Sequence, residues 1–301
     1  MTVGLRVDHA VLASADLESA AAFVRALGFD ELARHELDSA TAGTLYGIPQ
    51  ATTEVVLGVA GAATGQVRVV ATPLPGPAPD PYPRGGHALD LYTTDIERSL
   101  RVAEEAGAEV GPLADYTFGP VHLRQGQATG PDHVPWVFVE IGHRLPSILD
   151  ERPDLLHSEL HSAVWSVDDL DAATAWWTEV VGLELRNRFP ITEPAVSHFM
   201  GLPRVTPLAM SVLTGPGAGA PRFELLAFDG EPGPFVAPLP LVAGATLPVL
   251  VADDLEITLA RLVAGGAEAG ETVVVPAPGG EQRAVVVSGP HGLGLELRGP
   301  A

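Results

Sequence analysis

The stretch LYGIPQATTEVVLGVAG (Leu45–Gly61) returns without gaps as FMGLPRVTPLAMSVLTG (Phe199–Gly215), 154 residues further on. A period that long is not that of a solenoid, whose units run roughly 20–50 residues. It reads as a duplicated half. A second pair of segments follows the first: DIERSLRVAEEAGAE (Asp95–Glu109) matches DLEITLARLVAGGAE (Asp254–Glu268) at a constant offset of 159. The Gly-Pro pair at Gly130–Pro131 returns at Gly289–Pro290 with the same offset. The chain therefore contains two different modules, in order, written twice.

Each module has the same grammar. Module 1 opens with VDHAVLASADLESAAAFVRALGF, a short strand, an Asp-Leu entry and an Ala-rich helix stopped at Gly28. An Asp at that entry accepts from the free N–H groups of the first helical turn, and Gly suits the helix end. Module 3 repeats the pattern as HSAVWSVDDLDAATAWWTEVVGL, with Gly182 at the stop. Apolar runs separated by Gly/Pro turns follow and predict three antiparallel strands. The expected fold is α+β: four βαβββ modules, spanning 1–71, 85–142, 156–228 and 244–299, paired into two domains at 1–145 and 156–301. A curved sheet covered on one face by one helix leaves the other face bare, so two modules pair around a cleft, where a ligand is expected. The Pro/Gly-rich stretches Thr72–Gly86 and Asp229–Gly244 read as linkers.

Composition excludes several function classes. The 301-residue chain has 46% hydrophobic residues, enough for full-sized cores. It has no Cys and no Lys, which removes disulfides, thiolate catalysis and Schiff-base chemistry. A formal charge of −21 repels phosphate backbones and anionic lipid, so no nucleic-acid or membrane partner is expected. No apolar run approaches the ~20 residues that span a bilayer, and a cytoplasmic protein, monomeric or homodimeric, is the expectation.

DHAVLASADLESAAAFVRALGF, together with the closing phrases GPDHVPWVFVEI and GPHGLGLELRG, resembles the vicinal oxygen chelate superfamily, which includes glyoxalase I, extradiol dioxygenases and bleomycin-binding proteins. The resemblance covers essentially the whole chain. It implies a small-molecule ligand or substrate and curved mixed sheets whose first and last strands supply metal ligands, usually His and Glu. It is specific for the fold and weak for the reaction. On this sequence it points to His9, His87 and His161 on first strands, with Thr246 facing the position of His87 in module 4. On last strands it points to Arg68, Glu140, Glu224 and Glu296. Two ligand sets follow. Pairing of modules 1 and 2 brings His9, His87 and Glu140 together, a set suited to Fe or Mn; pairing of modules 2 and 3 gives His87, Glu140, His161 and Glu224, suited to Zn or Ni. A metal-free cleft is the alternative, in a catalyst of specialised metabolism or in a non-enzymatic binder.

Strand alternation predicts that Glu140, Glu224 and Glu296 face the cleft, opposite the apolar residues beside them. The same rule puts His87 with Leu89 and Leu91, and His161 with Ala163 and Trp165, against the helices unless a bulge shifts the phase. His122 and Arg124 share a strand face and are candidate catalytic groups beside Glu140; a surface ion pair is the commoner role for such an Arg. Trp176–Trp177 read as core, and Gly215–Pro221 reads as a hairpin turn rather than a phosphate loop.

Overall fold

A computed structural model describes residues 4–118, 121–216, 221–230 and 233–301; the centre of the Gly215–Pro221 turn lies outside them. Module 1 contains β1 (Leu5–Ser14), α1 (Leu17–Ala26), β2 (Asp30–Leu37), α2 (Ser39–Tyr46), β3 (Thr52–Gly58) and β4 (Gln66–Ala71). Module 2 contains β5 (Gly85–Thr93), α3 (Ile96–Glu105), β6 (Glu109–Val110), β7 (Ala114–Phe118), β8 (Val121–Thr129) and β9 (Pro135–Ile141). Module 3 runs β10 (His157–Ser166), α4 (Leu170–Ala175), β11 (Glu184–Ile191), α5 (Pro194–Phe199), β12 (Leu208–Thr214) and β13 (Arg222–Phe228). Module 4 runs β14 (Thr246–Ala252), α6 (Leu255–Ala264), β15 (Glu268–Ala269), β16 (Val273–Ala277), β17 (Gly280–Ser288) and β18 (Gly294–Pro300).

The helix entries obey the predicted chemistry. Asp16, Asp95, Asp169 and Asp254 each cap a helix, the side chain accepting from the N–H three residues on. Gly28 and Gly182 follow their helices with φ of +95° and +91°, a conformation that costs a side-chain-bearing residue. The repeated phrase, Leu45–Gly61 and Phe199–Gly215, is the end of a short helix, a left-handed Gly (Gly47 or Gly201) and a strand. Those helices, α2 and α5, are additions to the strand-helix-three-strand grammar. Trp176 and Trp177 are buried, edge to face at 5.3 Å, on a π-wound continuation of α4.

The strands form two nine-stranded mixed sheets. One has the order β15-β17-β18-β14-β1-β4-β3-β2, with β16 paired to β17. The other has the order β11-β12-β13-β10-β5-β9-β8-β6, with β7 paired to β8. Within a module the first and last strands run parallel, as in β1–β4; modules join through antiparallel pairs of first strands, β1 with β14 and β5 with β10. Each sheet therefore takes one module from each half of the chain. The clefts lie between modules 1 and 4 and between modules 2 and 3, not within 1–145 or within 156–301.

The two linkers cross and hydrogen-bond each other. Arg84 N–H donates to Pro234 O, and Val236 N–H to Arg84 O. Arg84 also pairs with Asp168 at 2.5 Å. A strap tied to both sheets is a structural member rather than a tether.

Because each half lacks the partners of its first strands, residues 1–145 produced alone should leave β1 and β5 with unpaired edges and form oligomers or aggregates. Co-production with 156–301 should restore a 1:1 complex, measured by size-exclusion chromatography and circular dichroism.

Candidate functional site

The two clefts share a plan and differ in filling. In each module a last-strand residue stands beside the first-strand residue five positions before the capping Asp. The registers are Arg68 beside Val11, Val137 beside Asp90, Glu224 beside Val164, and Glu296 beside Val249. Val137, not Glu140, is thus the module 2 counterpart of Glu224 and Glu296. The offset of 159 carries Glu296 back to the same residue.

The expectation that Glu140 faces the cleft is corrected by this register. Val137 and Val139 point into the cleft with Tyr92 and Val164, while Trp136 and Phe138 belong to the helix-side core. Glu140 follows the second set. Its Oε2 accepts from the N–H of Ile96 at 2.9 Å, at the start of α3, and its Oε1 accepts from Arg124 Nη1 at 3.1 Å. Arg124 is also ion-paired to Glu97, and Arg283 pairs with Glu256 in the same way at the 159 offset. The duplicated pair ties a strand to the first turn of its helix. His122 is exposed and bonded to Asp115 at 2.7 Å. Glu140, His122 and Arg124 therefore stand together, but behind the sheet.

The cleft between modules 1 and 4 is filled by its own side chains. Arg68 donates to Glu296 at 2.6 Å and to Glu54 at 3.3 Å, Arg298 donates to Glu296 at 2.5 Å, and the Tyr46 hydroxyl donates to Glu296 at 2.9 Å. All five side chains are almost fully buried. Burial pushes the Glu296 carboxyl up, and the Arg68 guanidinium pulls it back. His9 lies at the edge of this network. Its Nδ1 donates to Asp8 at 2.8 Å, and burial holds the ring below its ordinary range, against the pull of Asp8. A guanidinium thus occupies the place between two carboxylates, and His9 is in a different cleft from His87.

The cleft between modules 2 and 3 is open. A cavity of about 130 Å³ is walled by Phe189, Val196, Phe199, Met210 and Leu226, with His87, Asp90, Glu224, Tyr116, Gln125 and Gln127 among its polar members. Both His on the first strands reach this side through bulges. Val164 pairs with Ala88 and Trp165 with Gly86, which leaves His87 as the extra residue; Leu160 pairs with Leu91 and Ser162 with Asp90, which leaves His161 as the extra residue. His161 is stacked on Tyr92 at 3.9 Å.

Asp90, His161 and Glu224 each offer a ligand atom within 4.8 Å of the others, and all three are buried. Asp90 Oδ1 and His161 Nδ1 have no hydrogen-bond partner. Burial pushes the Asp90 carboxyl well up, helped by Glu224 and opposed by Arg222. Burial and Arg222 hold His161 neutral, against a backbone hydrogen bond to Asp90. Arg222 pairs with Glu224 at 3.2 Å and lies 5.8 Å from the Tyr92 ring centre. Two carboxylates and a neutral imidazole with orphaned atoms fit a divalent cation. Of the four-residue set expected from modules 2 and 3, His161 and Glu224 belong to this trio, His87 lines the cavity beside it, and Glu140 is absent.

Asp90 is missing from both expected ligand sets, although alternation sets it opposite Leu89 and Leu91. Its signal was there: a carboxylate within HALDLY is costly to bury unless something partners it.

Residues 6–138 and 159–297 match the family model described as the Glyoxalase/Bleomycin resistance protein/Dioxygenase superfamily. The chain belongs to that superfamily. Among solved structures, this superfamily member is similar to glyoxalase I from Zea mays, with TM-score 0.66, 14% identity, and coverage of 99% of this chain and 93% of that one. A putative dioxygenase from Bacillus subtilis is similar at TM-score 0.61 and 12% identity, over 98% and 85% of the two chains. At such identities the likeness is one of fold. No match is found among curated proteins.

Two measurements check this geometry. Arg68→Met leaves Glu54 and Glu296 without their shared cation and should cost about 3–5 kcal/mol in urea unfolding. His87, lowered by burial to about 4 from 6.5, stays neutral in the fold while the unfolded chain takes up a proton between those values. Stability from this group is present above pH 6.5 and lost as pH falls toward 4, by up to about 3 kcal/mol. The wild type should lose that much more than His87→Gln between pH 7.5 and 4.

Proposed function

We propose that this chain is a metal-dependent enzyme acting on a small oxygenated organic molecule held in the cleft between modules 2 and 3. The observation that supports this reading best is the buried trio of Asp90, His161 and Glu224, with two ligand atoms left without partners. A divalent metal on these three residues would supply Lewis acidity toward neighbouring substrate oxygens. The residues around it have work of their own. Burial and Glu224 push the Asp90 carboxyl up, so it would hold the cation only on giving up its proton. Away from the cation it is the group that can donate a proton to a developing oxyanion. Glu224, neutralised by Arg222, is the carboxylate that can accept one. The wall of Phe189, Phe199, Met210 and Leu226 excludes water and orients the carbon skeleton. Proton transfer of the lyase or isomerase kind suits this pair of carboxyl groups better than an oxidation does.

A second reading, a metal-free small-molecule binder, is favoured by the Arg222–Glu224 ion pair, since a resident cation already serves one member of the trio.

Metal analysis of the protein as purified separates the two. The enzyme reading expects about one equivalent of Fe, Mn, Zn or Ni, lost in His161→Ala and in Asp90→Asn and retained in Glu140→Gln and His9→Gln. Protein that stays below about a tenth of an equivalent after incubation with each of these ions overturns it.

A further inference from the structure

A larger cavity of about 490 Å³ lies outside the trio's cleft, at the seam where β5 of one sheet meets β14 of the other. The crossed linkers wall it, and its lining includes Pro79, Pro81, Pro83, Pro234 and Pro238, with Gly244 and Ala245 between them. Its lining also includes His87 and Thr246, the residues related by the 159 offset, and Trp165.

Three observations make this more than a gap between sheets. First, His87 Nδ1, Trp165 Nε1 and Thr246 Oγ1 have no hydrogen-bond partner, although all three residues are more than nine-tenths buried. Buried polar groups without partners call for an explanation, and three on one cavity share one. Second, the loop Asp132–His133, also on the lining, has φ of +54° and +60° at two consecutive non-glycine residues. In module 4 the counterpart of His133 is Gly292, at φ +75°. Left-handed backbone at a side-chain-bearing residue persists only where the surroundings over-determine it, which happens most often at ligand sites. Third, among the described residues the lining contains no Arg, while Asp80, Glu109 and Asp132 belong to it. An anion has no counter-charge there.

We propose that the seam cavity is a binding site for a neutral, rigid, ring-bearing molecule that carries a hydrogen-bond acceptor, such as an aromatic ketone. The indole N–H only donates, so the ligand must accept. The Thr246 hydroxyl and the His87 ring each supply a further donor in a suitable rotamer or tautomer. Proline rings and small residues give stiff apolar walls that lose little freedom when a rigid ring system enters. The wall shares His87, Gln127 and Met200 with the trio's cavity, so an occupant lies beside the proposed reaction site but needs none of its ligand atoms. The site is independent of the metal reading.

The test uses 9-fluorenone with two controls on its skeleton: fluorene, which lacks the acceptor, and fluorene-9-carboxylate, which is anionic. Binding to the full chain is followed by tryptophan quenching and by calorimetry. Fluorenone is expected to bind about tenfold more tightly than either control, the scale of one net buried hydrogen bond. Trp165→Phe and Thr246→Val should each weaken it by about fivefold to tenfold, with near-UV circular dichroism checking the fold. If Trp165→Phe fails to fold, Thr246→Val, which lines only the seam cavity, carries the same expectation. EDTA and added Mn(II) should leave the affinity unchanged, so loss of the metal site and loss of this site read out separately. Equal affinity for all three compounds, or affinity untouched by Thr246→Val, overturns the proposal.

Discussion

The antiparallel pairing of first strands across the two halves governs everything else in this molecule. β1 must meet β14 and β5 must meet β10, because each module offers one bare sheet edge and one bare sheet face. An unpaired central edge would leave a row of buried N–H and C=O groups unsatisfied. Crossing the halves satisfies both edges at once, encloses two clefts, and brings the linkers over one another at the seam. The position of every polar group discussed above follows from that choice of partner.

Duplication gave the two clefts the same frame, and burial made them diverge. Between modules 1 and 4, Arg68 stands at a last-strand position where modules 3 and 4 have Glu224 and Glu296. A guanidinium with two carboxylates, a second Arg and a Tyr hydroxyl makes a closed network, costly to assemble and more costly to break. Between modules 2 and 3 that last-strand position in module 2 is Val137, and Arg222 pairs with Glu224 at one end without lining the hollow. What remains is an apolar hollow with the Asp90 carboxyl, a neutral imidazole and an ion-paired carboxylate at one end. One cleft has been spent on rigidity, and the other is left to bind.

The legible part of the site and the illegible part differ for a definite reason. Glu224 could be read because its strand is regular: Phe223 and Leu225 point to the helices, and the carboxylate points away. Glu140 was misplaced because alternation fixes which residues share a face but not which face is the cleft. Both faces of β9 are apolar where they are buried, and only the register with β5 assigns them. His87 and His161 were placed against the helices by simple alternation and reach the cleft side because each is the extra residue of a bulge. A bulge is a property of two strands in register, and neither strand contains it alone.

Taken alone, the sequence determined the modules, their helix caps, their turns, the superfamily they resemble and the chemistry they lack, because these depend on contacts a few residues apart. It also contained, in the constant offset of 159, the equivalence of Val137 with Glu296. Tertiary structure alone decided which modules share a sheet, which His turns inward, and that Asp90 meets His161 and Glu224. Those outcomes rest on hydrogen-bond register between strands some 70 residues apart, as in Leu91 with Leu160, and a shift of one residue there reverses every side chain.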